Sequence, residues 1–183
     1  MRGADARGYV PHGGNPDRFA APDGTPLLSL ILYRDLVGEQ VLRLCEDATD
    51  LLVSPSDERL ARMGIHVAQL QGEWTHQAAC EISEIRPGSR VRLVRERLQD
   101  LDVSVVAVYD ATGQHLLGHV NKSQARALVR VLDAGDRIEA IALRGTEAGI
   151  PCDAVAILAA SPRVLQHLLR RLPALPRPAA PAD

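Results

Sequence analysis

The chain has 183 residues, of which 46% are hydrophobic and 24% charged, a composition typical of a soluble globular protein with one domain and additional segments. Its formal net charge is -2 with histidine neutral, which excludes a globally basic surface of the kind common in nucleic-acid-binding proteins. Aromatic residues make up only 3%, too few for a broad base-stacking surface.

The spacing of the cysteines and the length of the longest apolar run indicate the cellular compartment of the protein. Cys45, Cys80 and Cys152 lack the short spacing of a zinc site, a redox motif or a disulfide framework. The N-terminus shows no signal peptide, and the longest apolar run, residues 27–33, is too short to cross a bilayer. We therefore expect a cytoplasmic protein that does not contact the membrane.

Both ends of the chain have the composition of disordered segments. Residues 1–26 contain Gly, Pro, Asp and Arg with almost no apolar periodicity. Residues 173–183 are rich in Pro and Ala. We predict a disordered N-terminal segment over 1–26 and a disordered tail over 173–183.

Residues 27–64 are predicted to form a helical extension. Thr25 followed by Pro26 is typical of a helix start, and apolar residues then recur on one face to about residue 44. A strand over 27–33 is the alternative, because a short apolar run fits either structure. A short helix is predicted to follow over 57–63.

From residue 65 the pattern changes to short alternating strands, which indicates a domain over residues 65–160. A helix is predicted to begin after Asn121, a good N-cap, and a second, C-terminal helix is predicted over 161–172. Residues 110–113 have the composition of a hairpin turn. The predicted strands are 65–70, 90–95, 104–109, 115–120, 138–143 and 152–158.

Short motifs spread over about residues 65–158 resemble the HIRAN domain. A Pro87-Gly88 turn precedes a strand, as in that family, and the loop after this strand has the family's length. The other matching residues are Arg95-Glu96 at the end of the strand, Asp102 in the following loop, Gly118-His119 and Lys122 after the hairpin, and Leu132-Asp133-Ala134-Gly135 at the end of the helix.

The resemblance implies an α+β fold: a small β-barrel-like domain of the OB or SH3-like kind, with the predicted N-terminal helical extension and the C-terminal helix added. It also implies binding of single-stranded or 3′-ended DNA, in DNA repair or replication-fork processing. A helicase or nuclease usually accompanies such domains and would here act in trans. The sequence contains no catalytic motif, so we expect a non-catalytic accessory module without cofactor or metal.

The resemblance also implies roles for individual residues. Asp102 matches the Asp that receives a terminal 3′-hydroxyl through a charge-assisted hydrogen bond, which a 3′-phosphate would meet with repulsion. His119 and Lys122 match residues that face nearby phosphates. Together with the neighbouring positions of the pocket, the candidate nucleic-acid-binding residues are Gln71, Trp74, Arg95, Gln99, Leu101, Asp102, His119 and Lys122.

The chain departs from the family where aromatic residues would stack on bases. Leu101 replaces a Tyr, and Gln71-Gly72 replaces an Arg-Tyr pair, so two contacts worth roughly 1–3 kcal/mol per base are lost. Trp74 is a substitute only if its loop is shifted. The alternative hypothesis is a protein-interaction adaptor on a HIRAN scaffold that has lost DNA-end binding and recruits a partner through the helical extension.

Two further features have alternative interpretations. Arg90, Arg92, Arg95 and Arg97 form either a phosphate track or a solvated strand that pairs with nearby carboxylates. Asp102 is either the 3′-hydroxyl ligand or a residue that stabilises its own turn.

Overall fold

The computed structural model describes residues 7–35, 38–71, 77–83, 85–98, 103–145 and 155–172, and within these ranges it contains eight strands and four helices. None of these described helices is long and apolar enough to span a membrane. In chain order the elements are β1 (Leu28–Arg34), β2 (Gln40–Glu46), α1 (Glu58–Arg62), β3 (His66–Gln71), α2 (Gln77–Ser83), β4 (Arg90–Leu98), β5 (Val103–Asp110), β6 (Leu116–Val120), α3 (Lys122–Asp133), β7 (Glu139–Arg144), β8 (Ala156–Ala160) and α4 (Pro162–Leu169).

Strands β3 to β8 form one antiparallel sheet that closes on itself as a barrel. Each strand pairs with two others, in the order β3-β6-β5-β4-β7-β8 and back to β3. β4 pairs with β7 only through Arg90 and Val91, so the rest of its length is paired on the β5 side alone. Small and branched side chains fill the interior, including Ala68, Val106, Val108, Leu117, Ala142 and Ile157, each at most 2% exposed. A mostly antiparallel sheet with a few helices agrees with the predicted fold class.

The hairpin of β5 and β6 turns where the sequence predicts, at residues 110–113. The carboxylate of Asp110 accepts hydrogen bonds from the backbone N–H of Gln114 at 3.0 Å and from the Thr112 hydroxyl at 2.7 Å. Gly113 has φ +77°, a conformation that glycine adopts without strain. The turn is therefore held by its own side chains.

Helix α3 crosses β5 and β3 on the barrel. Asn121 is its N-cap, and its side chain accepts a hydrogen bond from the backbone N–H of Ser123 at 3.0 Å. Ala125 and Leu128 point into the barrel core and are 4% and 1% exposed. The predicted helix and its cap are confirmed.

The prediction of a helical extension over residues 27–64 is wrong. β1 and β2 pair as an antiparallel hairpin, and only α1 is helical in this region. Leu28 and Leu30 alternate toward the core on β1, and Leu42 and Leu44 do so on β2. The apolar run forms a strand because a second apolar run can pair with it and both can be buried.

The hairpin packs against one side of the barrel and forms a second core. Ile141, Leu143 and Leu158 of β7 and β8 contribute to this core from the barrel. Leu165 and Leu168 of α4 contribute from the C-terminal side. The barrel strands β7 and β8 are thus covered on both faces.

The prediction of disorder over residues 1–26 is wrong for residues 7–26, which are ordered. Val10 and Phe19 lie in the second core and are 2% and 1% exposed. Arg18 forms an ion pair with Glu46 at 2.6 Å, and the guanidinium of Arg59 lies 4.4 Å from the centre of the Phe19 ring. A few apolar residues hold the segment, which composition alone does not reveal. The predicted tail over 173–183 lies outside the described residues.

Candidate nucleic-acid interface

Strand pairing brings two of the candidate residues side by side. His119 of β6 is paired with Gln71 of β3 on one side and with Ala107 of β5 on the other. The adjacent pair in the same ladder, Leu70 and Val120, is buried in the barrel. Because side chains alternate along a strand, Gln71 and His119 share the outer face of the barrel.

His119 has two polar neighbours on this outer face. Its Nε2 lies 3.9 Å from Oε2 of Glu96, and both side chains are partly exposed. The hydroxyl of Tyr109 donates a hydrogen bond to Oε1 of Glu96 at 2.9 Å. That hydrogen bond raises the pKa of Tyr109 above its usual value. The environment of His119 is therefore a network that contains a carboxylate and an aromatic ring.

Tyr109 and Glu96 are not among the candidate nucleic-acid-binding residues, although Glu96 lies in the Arg95-Glu96 motif that matches the family. Tyr109 ends the predicted strand 104–109, and Glu96 directly follows the predicted strand 90–95. The alternation of side chains along β4 and β5 places both on the same outer face as Ala107. That alternation is the signal that could have found them. It gives no indication of the hydrogen bond between them.

Gly118 sets the close approach of β3 to β6. Its φ is +151°, and a Cβ atom at this position would lie 2.9 Å from the backbone oxygen of Gln71 and 3.3 Å from Cβ of Leu70. A side chain at residue 118 would push the two strands apart. The glycine thus helps to hold Gln71 against His119.

Lys122 is the first residue of α3 and follows the N-cap Asn121. Its side chain is exposed, and among the described residues it forms no hydrogen bond or ion pair. The first turn of α3 contains no acidic residue, and a cation at a helix N-terminus opposes the helix dipole. Lys122 is therefore a charge with no structural partner in the described part of the chain, three residues after His119.

Arg95 is separated from this group. Its Nη1 lies 2.9 Å from Oδ1 of Asp133, and its Nη2 donates to Oγ of Ser104 at 3.1 Å. Adjacent strand residues face opposite sides, so Glu96 is turned toward His119 while Arg95 is turned toward α3. Arg95 is connected to the helix rather than to the Gln71–His119 pair.

The other arginines of β4 also interact within the protein. Arg90 forms an ion pair with Glu139, and Arg92 donates to the backbone oxygen of Thr112 at 3.4 Å. Arg97 has an interaction partner as well. These contacts favour the interpretation of β4 as a solvated, internally paired strand over a phosphate track.

Four candidate residues lie outside the described residues, namely Trp74, Gln99, Leu101 and Asp102. Their predicted roles stay predictions. Within the described ranges, no cluster of His, Cys, Asp and Glu side chains is arranged to hold a metal ion.

The barrel part of the chain is similar to known proteins. Residues 69–159 match the family model of the HIRAN domain. The crystal structure of the HIRAN domain of human HLTF is similar, with 17% sequence identity, coverage of 57% of this chain and 86% of that chain, and a TM-score of 0.41. No curated protein sequence matches the chain. HIRAN domains are known as DNA-binding domains, and residues 69–159 of this chain belong to that family.

Proposed function

We propose that the protein is a non-catalytic accessory module that binds single-stranded DNA and captures its 3′ end. The observation that carries the proposal is the group on the outer face of the barrel: Gln71 and His119 lie side by side, and Lys122, which has no side-chain partner among the described residues, follows at the start of α3. The match of residues 69–159 to the HIRAN family supports the same assignment.

The group has complementary chemistry for a DNA backbone. Lys122 offers a compact positive charge for a phosphate, and the imidazole of His119 offers an N–H donor. The amide of Gln71 can donate and accept, so it suits a sugar or a base edge. Asp102, by the family resemblance, would accept the hydrogen bond of the terminal 3′-hydroxyl.

Glu96 restricts how a strand approaches. Its carboxylate lies 3.9 Å from the imidazole of His119 and would repel a phosphate placed between them. A phosphate is therefore best placed on the Lys122 side of His119. Tyr109, which donates to Glu96, keeps that carboxylate hydrogen-bonded and offers part of its ring on the same face.

The adaptor hypothesis would gain support from an exposed apolar face on the predicted helical extension, but β1 and β2 form a hairpin in this segment. Leu28, Leu30, Leu42 and Leu44 of the hairpin are buried in the second core with residues of β7, β8 and α4, whereas Leu32 is 48% exposed. We propose in addition that the module works with a helicase or nuclease that acts in trans, in DNA repair or replication-fork processing.

Fluorescence anisotropy with labelled single strands tests the proposal. Strands with a free 3′-hydroxyl and with a 3′-phosphate are compared at low and moderate salt. We expect tighter binding of the hydroxyl end and loss of that preference in Asp102→Ala. Lys122→Ala should weaken both strands alike and reduce the salt slope by roughly 0.7, the value for one phosphate contact on a single strand.

Arg62→Ala is the matched control, because Arg62 is an exposed cation on α1, away from the barrel face. It should bind like the wild type. Absence of binding at low salt would overturn the proposed function, and so would equal affinity of wild type and Asp102→Ala for both ends. Cleavage of the labelled strand during the assay would overturn the non-catalytic assignment.

A further inference from the structure

The outer face of α3 carries a row of three cations. Lys122, Arg126 and Arg130 are spaced four residues apart, so they lie one above another on one side of the helix. All three side chains are exposed. Within the described part of the chain, none of them forms a side-chain hydrogen bond or ion pair. We call these three residues the α3 ridge.

The orientation of the ridge is set by the buried side of the helix. Ala125 and Leu128 pack into the barrel core, and Val129 and Leu132 pack against it partly. The ridge therefore faces away from the barrel. With a rise of about 1.5 Å per residue, successive ridge residues are separated by about 6 Å along the helix axis.

The ridge is unfavourable for the helix by itself. Like charges one turn apart repel each other, and Lys122 opposes the helix dipole. The only carboxylate in α3 is Asp133, and it is held by Arg95 of β4. No acidic side chain of α3 is therefore left to balance the three cations.

Many of the arginines described elsewhere in the structure pair with carboxylates. The ridge differs from a surface on which both signs of charge are mixed, because its helix carries three cations in a row and its one carboxylate is already paired. The balanced pairs include Arg18 with Glu46, Arg59 with Asp57, Arg90 with Glu139, Arg144 with Glu39 and Arg170 with Asp47.

We propose that the α3 ridge is a phosphate track that holds the backbone of a single DNA strand as it leaves the end-binding residues. The ridge begins at Lys122, three residues after His119, and continues along α3 through Arg126 and Arg130. Its regular spacing is similar to that of successive phosphates in an extended single strand. This inference rests on the proposed function and extends it to residues beyond the end pocket.

The test uses Arg126→Ala/Arg130→Ala in the full chain. The control is Arg62→Ala/Arg163→Ala, which removes two exposed helical cations from α1 and α4 and causes the same change in net charge. Binding is measured by anisotropy across a salt series with strands of about 4 and about 16 nucleotides, the range of site sizes for single-strand-binding domains. Thermal unfolding verifies that both double variants fold.

For the long strand we expect the ridge variant to reduce the slope of log K against log salt by about 1.4, since each single-strand phosphate contact contributes about 0.7. Its affinity for the long strand should fall about tenfold or more at low salt. Its affinity for the short strand and its preference for a 3′-hydroxyl should match the wild type, and the control should behave as wild type throughout.

If the wild type binds and the ridge variant shows the same slope of log K against log salt, the phosphate track is overturned. The proposed function still stands in that case. Absence of binding by the wild type would overturn the proposed function and the track together. Competition by poly-glutamate as effective as competition by DNA of equal charge would overturn the assignment of the ridge to nucleic acid.

Discussion

Arg95 in β4 and Asp133 at the end of α3 form an ion pair, with 2.9 Å between Nη1 and Oδ1, that joins the barrel wall to the helix. The two side chains are 45% and 43% exposed, so the pair contributes little to the free energy of unfolding. Its larger effect is electrostatic, because it neutralises the one carboxylate of α3. The outer surface of the helix therefore keeps a net positive charge.

Arg95→Ala should weaken DNA binding about two- to fivefold by leaving Asp133 unpaired near the α3 ridge, since exposed charges interact by about 1 kcal/mol or less. Asp133→Asn in the same chain should restore the affinity. Anisotropy titrations of the two single variants and the double variant at low salt measure this coupling. A double variant as weak as Arg95→Ala would instead show that Arg95 contacts DNA directly.

Asp110 should make the folded state sensitive to acid. Burial opposes its ionisation, but hydrogen bonds from His115, Thr112 and the turn backbone lower its pKa from 3.8 to about 2. A depressed folded-state pKa stabilises the fold above the unfolded pKa, and this contribution disappears as the pH falls toward 2. We expect Asp110→Asn to lose about 2 kcal/mol at neutral pH.

Urea unfolding of wild type and Asp110→Asn between neutral pH and pH 2 measures this contribution. The difference in unfolding free energy should shrink as the pH is lowered through the interval between the two pKa values. A difference that stays constant over this interval would contradict the assigned role of the carboxylate.

Gly118→Ala should both destabilise the barrel and impair the candidate site. The new Cβ would meet the backbone oxygen of Gln71 at 2.9 Å, which only a shift of β3 or β6 can relieve. Gly135→Ala is the matched control: Gly135 has φ +75°, but no atom lies within 4 Å of the added Cβ. The control should lose about 1 kcal/mol from its backbone conformation alone.

We expect Gly118→Ala to lose clearly more stability than Gly135→Ala in urea unfolding and to bind DNA more weakly at a temperature where both are folded. Equal stability losses in the two variants would indicate that β3 and β6 do not need the close approach. Unchanged DNA binding by folded Gly118→Ala would argue against Gln71 and His119 as binding residues.

Phe19→Ala tests whether the N-terminal segment belongs to the folded unit. The ring is 1% exposed in the second core and lies under the guanidinium of Arg59, so its removal should cost about 3–5 kcal/mol. Ile82→Ala in α2 is the control, because this side chain is 68% exposed and its loss should change stability by about 0.5 kcal/mol or less. Similar stability of the two variants in urea unfolding would show that the segment is not docked.

Elements whose signals are local could be predicted from the sequence. The β5–β6 turn carries Asp110 and Gly113 at the positions that stabilise it, and α3 begins at a strong N-cap and follows a helical period. The motifs around Arg95, Gly118 and Lys122 also sufficed to suggest the HIRAN family, which the match over residues 69–159 supports. Each of these signals lies within a few residues of what it specifies.

The hairpin of β1 and β2 could not be decided in this way. The run around Leu28 and Leu30 fits a helix or a strand, and the outcome depends on pairing with β2 and burial against α4 and β7. The same holds for Phe19, whose burial depends on residues far away in the chain. Non-local packing therefore decided both of the predictions that were wrong.

The sequence by itself determined the strands and helix of the barrel, the turn at Asp110 and the spacing of the cations on α3, because hydrogen-bonded turns, caps and side-chain periodicity act between near neighbours. Only the tertiary structure decided which charged side chains have no partner in the described part of the chain. Strand pairing set His119 beside Gln71, and the packing of α3 turned Arg95 toward Asp133. A charge is balanced or left unpaired by what the fold places next to it, and distance in space, not in sequence, governs that interaction.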